Sequence, residues 1–205
     1  SHQLYKKGVG ALMSDNICFP AKLAHGHIVN LIEKKVDRIF LPFVVYEKSE
    51  HKKSANSYNC PIVTGYSEVL KNTTLLAEST DIPFDSPAIN FNDLDLLRKA
   101  CWKYCKQLGV NSTTFNSAFN ESLIAQNEFK TQVKAKNIEI FDYAKNNNKL
   151  IVLVASHPYH IDHFIHQQVS QILSDLGVSV INEDIAFGEE NEGFDSYYSI
   201  AQWEY

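Results

Sequence analysis

Apolar side chains near the start of the chain follow a helical spacing and then a strand pattern. From residue 21 to about residue 35 they recur every three or four positions, which predicts a helix. Pro20 suits the first helical position, because its missing N–H is not needed there. Residues 36–45 are rich in β-branched and aromatic side chains and predict a buried strand that Pro42 ends or bulges.

After this strand the chain first becomes polar and then returns to a helical spacing of apolar residues. Residues 47–57 are polar and charged without periodicity, which is typical of an exposed loop. Residues 59–65 predict a short strand or turn, and a short helix follows through Leu70. From residue 93 to residue 108 apolar side chains again recur at three and four positions, and Gly109 supplies a helix stop.

The last part of the chain returns to an alternation of strand and helix. Residues 117–145 predict a second long helix, which a run of three asparagines ends. Residues 150–155 predict a strand, residues 162–176 a helix and residues 178–181 another strand. A strand, a helix and a strand joined by short connections imply a right-handed parallel crossover.

These elements predict an α/β fold of parallel-sheet units, flavodoxin-like or Rossmann-like, with an inserted helical segment. We expect an α/β half over residues 1–89, a helical segment over residues 90–148, and a second α/β half over residues 149–205 that packs with the first. The only methionine is Met13, and residues 199–205 form an aromatic-rich end without a helix stop. We therefore expect the chain to be a fragment of a longer protein.

Composition narrows the class of protein. Hydrophobic residues make up 44% of the 205 residues and charged residues 21%, which excludes a disordered tail and a collagen-like repeat. A net charge of −5 argues against a nucleic-acid partner, and the longest apolar run is far too short for a membrane span. No export signal is visible, and four cysteines without dense spacing indicate a reducing compartment, so we expect a cytoplasmic protein.

Two cysteines have neighbours that suit metal binding. Cys18 and Cys60 each lie in a loop with a proline just after, and Cys18 immediately precedes a helix. The positive end of a helix dipole stabilises a thiolate and so favours metal ligation. The alternative is that both are small buried apolar residues. Cys101 and Cys105 share a helix face with leucines, which favours core packing for that pair.

Histidines cluster in two places. His157, His160, His163 and His166 fall close together, and the last two, with Asp162, are candidate ligands for a divalent metal. Two alternatives are a helix N-cap at Asp162 and a polar loop that lines a cleft. In the first helix, His25, Gly26 and His27 form a polar cluster with Lys22, whose positive charge would offset the negative charge of a nearby thiolate or phosphate. The alternative is an ordinary surface lysine without a binding role.

Three stretches together resemble a known family. They are residues 14–28 (SDNICFPAKLAHGHI), residues 58–66 (YNCPIVTGY) and residues 158–162 (PYHID). They are similar to the uncharacterised CoA enzyme activase domain of large anaerobic proteins, which fuse an ATPase activator of 2-hydroxyacyl-CoA dehydratases to dehydratase-like regions. The resemblance covers most of the α/β parts and leaves residues 73–148 unmatched.

The resemblance implies a redox role. Cys18 and Cys60 match positions that hold an iron–sulfur cluster of the 4Fe-4S type, with a third ligand outside this chain. The cluster would accept low-potential electrons from an ATP-driven activator domain, with ATP bound only in that separate domain. Expected partners are the other domains of the parent protein and an acyl-CoA substrate. The fragment is not expected to be active alone, and no catalytic residue is assigned.

Two other functions stay open at this point. The chain is alternatively a docking or scaffold module of the same large protein, with both cysteines buried and inert. It is alternatively a metal-dependent hydrolase centred on His160, Asp162 and His163. The residues that we expect to line a cleft or contact a ligand are Lys22, His25, His27, Tyr159, His160 and Asp162.

Overall fold

The structure is a computed structural model and describes residues 2–12, 14, 16–48, 56–73, 81–156, 162 and 165–186. It divides into two compact units, and the division falls between Tyr104 and Cys105. Each unit is described by itself. The boundaries that the sequence predicts at residues 89 and 148, and the packing of the two α/β halves, stay predictions.

In the described residues the first unit combines four α-helices and a 3₁₀ turn (Val9–Ala11) with short strands. The helices are α1 (His2–Gly8), α2 (Phe19–Glu33), α3 (Pro61–Lys71) and α4 (Leu94–Gln107), and the last three residues of α4 belong to the second unit. The strands are β1 (Ile39–Phe40), β2 (Phe43–Tyr46), β3 (Phe84–Asp85) and β4 (Ala88–Asn90).

The four strands form one parallel ladder that prolines interrupt. Strand β1 pairs with β3 and β2 pairs with β4, both in parallel. Between them Leu41 N–H donates to the Asp85 carbonyl at 2.9 Å, and Phe43 N–H donates to the Pro87 carbonyl at 2.9 Å. A proline has no N–H to donate, so Pro42 and Pro87 break the strands without ending the pairing. The predicted interruption at Pro42 is confirmed.

A short segment pairs with the other side of β2. Asn59 N–H donates to the Val45 carbonyl at 2.7 Å, and Tyr58 forms an antiparallel bridge with Tyr46. The strand or turn predicted for residues 59–65 is wrong beyond this point, because α3 already begins at Pro61. A proline has the right φ for a first helical turn and loses no hydrogen bond there.

The loop predicted for residues 47–57 lies mostly outside the described residues. At its end Ser57 is 5% exposed and its carbonyl accepts a hydrogen bond from Glu47 N–H at 2.8 Å. Ser57 is therefore part of the antiparallel pairing with β2.

The core of the first unit lies where α2, α3 and β1 meet. Ile28, Ile39 and Leu70, one from each element, are buried against each other. Residues that pack around them include Ala24 and Leu31 from α2. Removing these side chains from water contributes about 1.5–3 kcal/mol for each large aliphatic residue. Both helices are thereby held against the parallel ladder.

Helix α1 crosses α2 at a pair of glycines. A Cβ atom at Gly26 would overlap the carbonyl oxygen of Leu4, and one at Gly8 would overlap the backbone of Gly26. The helices can approach this closely only because both positions lack a side chain. Gly26 therefore has a packing role in the first unit.

The second unit contains the end of α4 and a second parallel pair. Its elements are α5 (Ser112–Asn146), β5 (Ile151–Val154), α6 (Val169–Asp175), β6 (Ser179–Asn182) and a final 3₁₀ turn (Glu183–Ala186). Strands β5 and β6 pair in parallel, as predicted. The helices and small parallel sheets of the two units confirm the predicted α/β class.

Helix ends in the second unit agree only partly with the predictions. Helix α5 begins five residues early because the side chain of Asn111 accepts a hydrogen bond from Thr114 N–H at 2.9 Å and caps it. The predicted stops are confirmed at Gly109 and Gly177, which have φ values of +82° and +83°. No helix in the described part of the chain, α5 included, is long and apolar enough to cross a membrane.

We predict that Gly26→Ala destabilises the first unit by about 1–3 kcal/mol, because the new methyl group must push α1 away from α2. Denaturant unfolding of the full chain measures the change. Gly65→Ala is the matched control: Gly65 is also inside a helix, but a Cβ atom there meets nothing within 4 Å. This control should gain about 0.5–1 kcal/mol. Equal effects of the two substitutions would contradict the close helix crossing.

Candidate functional site

Cys18 and Cys60 occupy the same position on two neighbouring helices. Cys18 is the N-cap residue of α2 and Cys60 is the N-cap residue of α3, each with a proline in the first turn. Neither thiol accepts a capping hydrogen bond. Both sulfur atoms are therefore at the positive ends of helix dipoles, where a thiolate is stabilised.

A pocket lies beside the two helix starts. Its volume is about 160 Å³, and we call it the α2–α3 pocket. Its lining residues from α3 are Pro61, Ile62, Gly65, Tyr66 and Val69, and Ser14, Ile17 and His25 complete the lining. Ile17 directly precedes Cys18 and Pro61 directly follows Cys60, so the two cysteines flank one pocket. Both thiols are free; Cys18 is exposed and Cys60 is half-buried.

Strand β2 fixes the start of α3. Cys60 N–H donates to the Asn59 side chain at 2.9 Å, and the Asn59 amide donates to Glu47 at 3.0 Å. The Thr64 hydroxyl donates to the Val44 carbonyl at 3.1 Å, one turn into the helix. Because the chain runs antiparallel to β2 from Ser57 onward, these bonds hold Cys60 beside the first half of β2, near Val44 and away from the carboxyl end of the strand.

A buried polar pair lines the same pocket. His25 is 2% exposed, and its Nδ1 lies 2.9 Å from the Tyr66 hydroxyl and 3.3 Å from the Ala21 carbonyl oxygen. The two rings meet edge to face with centroids 5.5 Å apart. Among the described residues, none forms a hydrogen bond with His25 Nε2, which is shielded from solvent. A buried ring nitrogen without a partner is costly and needs an explanation.

The environment of Tyr66 keeps its phenol protonated. Burial first, and the negative charge of the nearby Cys18 second, together raise the pKa of Tyr66 to about 12. The influence of Cys18 on Tyr66 is a second sign that the start of α2 lies close to α3. At neutral pH the pocket therefore presents a neutral hydroxyl beside the thiols.

The structure separates the predicted polar cluster of α2. His25 is buried, whereas His27 is exposed and Lys22 is half-buried. Successive helical residues differ in direction by about 100°, so neighbours in sequence meet different surroundings. Gly26 lies between the two histidines because α1 packs on it. A ligand-binding role for these side chains stays a prediction.

The second predicted cluster belongs to the other unit. Tyr159, His160, His157 and His163 lie outside the described residues. Asp162 is exposed, and its carbonyl accepts hydrogen bonds from Ile165 and His166 N–H at 2.9 and 3.2 Å. Its predicted role as an N-cap stays a prediction, while α6 begins at Val169, whose N–H donates to His166 Nδ1 at 3.2 Å.

The described residues contain no complete metal site. Within those ranges no group of three or more His, Cys, Asp or Glu side chains could hold a metal ion. Cys101 and Cys105 are half-buried on α4 and belong to no such group. Cys18 and Cys60 therefore form, at most, half of a four-ligand set.

Sequence reasoning missed Gly65 and Tyr66 as parts of the site. The available signal was Gly65 itself, because a glycine in the interior of a helix lowers helix stability relative to alanine. The pairing of Tyr66 with His25 joins residues 41 positions apart and has no signature in local sequence.

The first unit is thus an α/β unit in which two helices begin at cysteines beside one pocket. The chain belongs to the CoA enzyme activase uncharacterised domain family, whose model matches residues 1–186. This confirms the resemblance seen in three stretches and extends it across residues 73–148. Comparisons with curated proteins and with solved structures gave no match. Membership of this family supports an activator-related role.

We predict that Tyr66 makes the folding stability depend on alkaline pH. Its pKa of about 12 in the folded state lies above the ordinary value of 10.0, so its contribution is fully present below pH 10. The contribution is lost as the pH rises from 10 to about 12. Denaturant unfolding below and above this pH range should show a smaller loss of unfolding free energy in Tyr66→Phe than in the wild type. Tyr143→Phe, an exposed control, should keep the wild-type loss.

Proposed function

We propose that Cys18 and Cys60 supply two ligands of an iron–sulfur cluster. The observation that carries this proposal is that the two cysteines cap neighbouring helices, and that Ile17, just before Cys18, and Pro61, just after Cys60, line one pocket. Two thiols held at equivalent helix starts suit a shared metal group better than two unrelated core cysteines. Exposure of Cys18 argues in the same direction, since a free cysteine is ordinarily among the most buried residues.

The chemistry of the donors supports iron. Thiolates are soft ligands, which favours iron–sulfur clusters over hard cations such as Mg²⁺ or Ca²⁺. The thiols make no capping hydrogen bonds, so their sulfur lone pairs are available to a metal. The positive ends of the helix dipoles lower the electrostatic free energy of two thiolates that bind one metal group. When bound, a cluster of this type supplies one-electron chemistry at low potential.

The remaining ligands must come from elsewhere in this proposal. The only other cysteines of the chain, Cys101 and Cys105, lie on α4 and join no metal-binding group among the described residues. We therefore infer that another domain or subunit, or an added small thiol, completes the set. The cluster would then lie at an interface, where electrons from an ATP-driven activator can reach it.

The family supports an activator-related role for the chain. We propose that in this role it works with an ATP-hydrolysing partner and a 2-hydroxyacyl-CoA dehydratase system, with ATP bound outside this chain. In our proposal the α/β unit presents the cluster ligands, and the acyl-CoA substrate is handled by the assembled protein. The chain alone is not proposed to turn over a substrate.

Anaerobic reconstitution tests the proposal. We expect the full chain, incubated with iron, sulfide and an excess of a small thiol, to develop the broad visible absorbance of an iron–sulfur chromophore. Cys18→Ser and Cys60→Ser should each lower the bound iron and sulfide per chain several-fold, because each removes one of two protein ligands. Cys101→Ser, the matched control, should bind as the wild type does.

Thermal unfolding followed by circular dichroism shows whether each variant remains folded. Serine at the exposed position 18 should change stability by no more than about 0.5 kcal/mol. The proposal fails if the wild type binds no iron, or if Cys18→Ser together with Cys60→Ser leaves bound iron unchanged. The docking role with inert cysteines would then be favoured.

A further inference from the structure

Strand β5 in the second unit has an unpaired edge. Among the described residues it pairs with β6 alone. The Ser179 N–H of β6 donates to the Leu150 carbonyl at 2.9 Å, and backbone groups alternate in direction along a strand. Ile151 and Leu153 therefore direct their N–H and carbonyl groups away from β6, where no hydrogen-bond partner lies within the described ranges. Such an edge is a template for another extended strand.

The side chains along this edge are apolar and uncovered. Leu150 is 66% exposed and Leu153 is 54% exposed, on opposite faces of the strand because they are three residues apart. Residues 150–155 form an uninterrupted apolar run, which is typical of a parallel strand covered on both faces. They include no charged residue and no proline, the residues that commonly prevent edge strands from pairing. The edge of β5 is therefore suited to association.

We propose that β5 pairs in antiparallel orientation with β5 of a second copy of this chain, about a twofold axis. The unpaired edge requires an extended, uncharged segment that has apolar side chains on both faces and a free edge of its own. Strand β5 is itself such a segment, so two copies present the same surface to each other. The two sheets then form one sheet of four strands in the order β6–β5–β5–β6. This inference does not depend on the α2–α3 pocket or on the proposed cluster.

The outward backbone groups set the register of the two strands. In an antiparallel pair, two opposite residues exchange both hydrogen bonds when the backbone groups of both point into the gap. Ile151 of one copy therefore lies opposite Leu153 of the other, and Leu153 opposite Ile151. Val152 then lies opposite Val152 of the second copy, at the twofold axis.

This register also suits the side chains at the two ends of the strand. The exposed Leu150 of one copy is covered by Val154 of the other, because opposite residues place their side chains on the same face. Lys149 lies opposite Ala155, so the two Lys149 residues are about 20 Å apart and do not repel each other at close range. The paired segment thus contains apolar contacts and no like charges in contact.

Sedimentation analysis of the cluster-free full chain tests the pairing. We expect a dimer with a dissociation constant in the micromolar range or below. Leu153→Lys should raise this constant at least about tenfold, because the lysine charge would be buried against apolar side chains of the second copy. Leu96→Lys is the matched control, since Leu96 is 48% exposed on α4 in the first unit, and it should leave the constant unchanged. Circular dichroism checks that both variants are folded.

Cross-linking tests the register. Val152→Cys should form a disulfide between two copies on mild oxidation, because Cα atoms of such an opposite pair are about 4.5 Å apart. Leu150→Cys should not, because its two copies would be about 14 Å apart. Mass spectrometry of the linked peptide distinguishes this disulfide from any that involves the four native cysteines.

Three results would overturn the proposal. They are a wild type that stays monomeric well above micromolar concentration, a dimer that Leu153→Lys weakens no more than Leu96→Lys does, and a dimer that Val152→Cys does not cross-link. A monomer would leave the edge of β5 to a strand of a different protein. All three measurements are made without iron, so their failure is distinguishable from failure of the cluster proposal.

Discussion

The packing of α2 and α3 over Ile39 is the constraint on which the site depends. Each helix contributes one residue to the buried cluster, Ile28 from α2 and Leu70 from α3. Each of these residues lies ten positions after the cysteine that begins its helix, a rise of about 15 Å. The two N-caps therefore lie at equal distances along their helices from the shared core. Ile17 beside one N-cap and Pro61 beside the other both line the α2–α3 pocket.

A second constraint sets the direction of the α2 side chains. Because α1 lies against Gly26, the rotation of α2 about its own axis is fixed, and His25 is directed into the interior beside Tyr66. His27, two positions on, remains exposed. Three consecutive residues thus have three different surroundings: a buried polar pair, a helix crossing and solvent. The crossing of α1 and α2 is thereby linked to the polar pair that lines the pocket.

Much of the fold could be predicted because local rules decide it. The interruption at Pro42 and the stop at Gly109 follow from backbone chemistry that each residue carries with it. The start of α3 was mispredicted because β-rich residues after Cys60 obscured the helix that Pro61 begins. The inward direction of His25 and the opening at Gly65 could not be predicted, since both depend on which helices pack together. The paired cysteines were recognisable from sequence, but their shared pocket was not.

The electrostatics of the site favour charge at its rim and neutrality inside. The N-termini of α2 and α3 place partial positive charge beside Cys18 and Cys60, while burial first and the Cys18 charge second raise the pKa of Tyr66 and hold its phenol in the neutral form. The pocket beyond the thiols is lined mainly by aliphatic groups, so charges at its edge are weakly screened on that side. A cation bound between the sulfurs would therefore experience a stronger field than at an open surface. The same apolar lining disfavours a charged group inside the pocket, so the metal ligands that we propose lie beside the pocket and not within it.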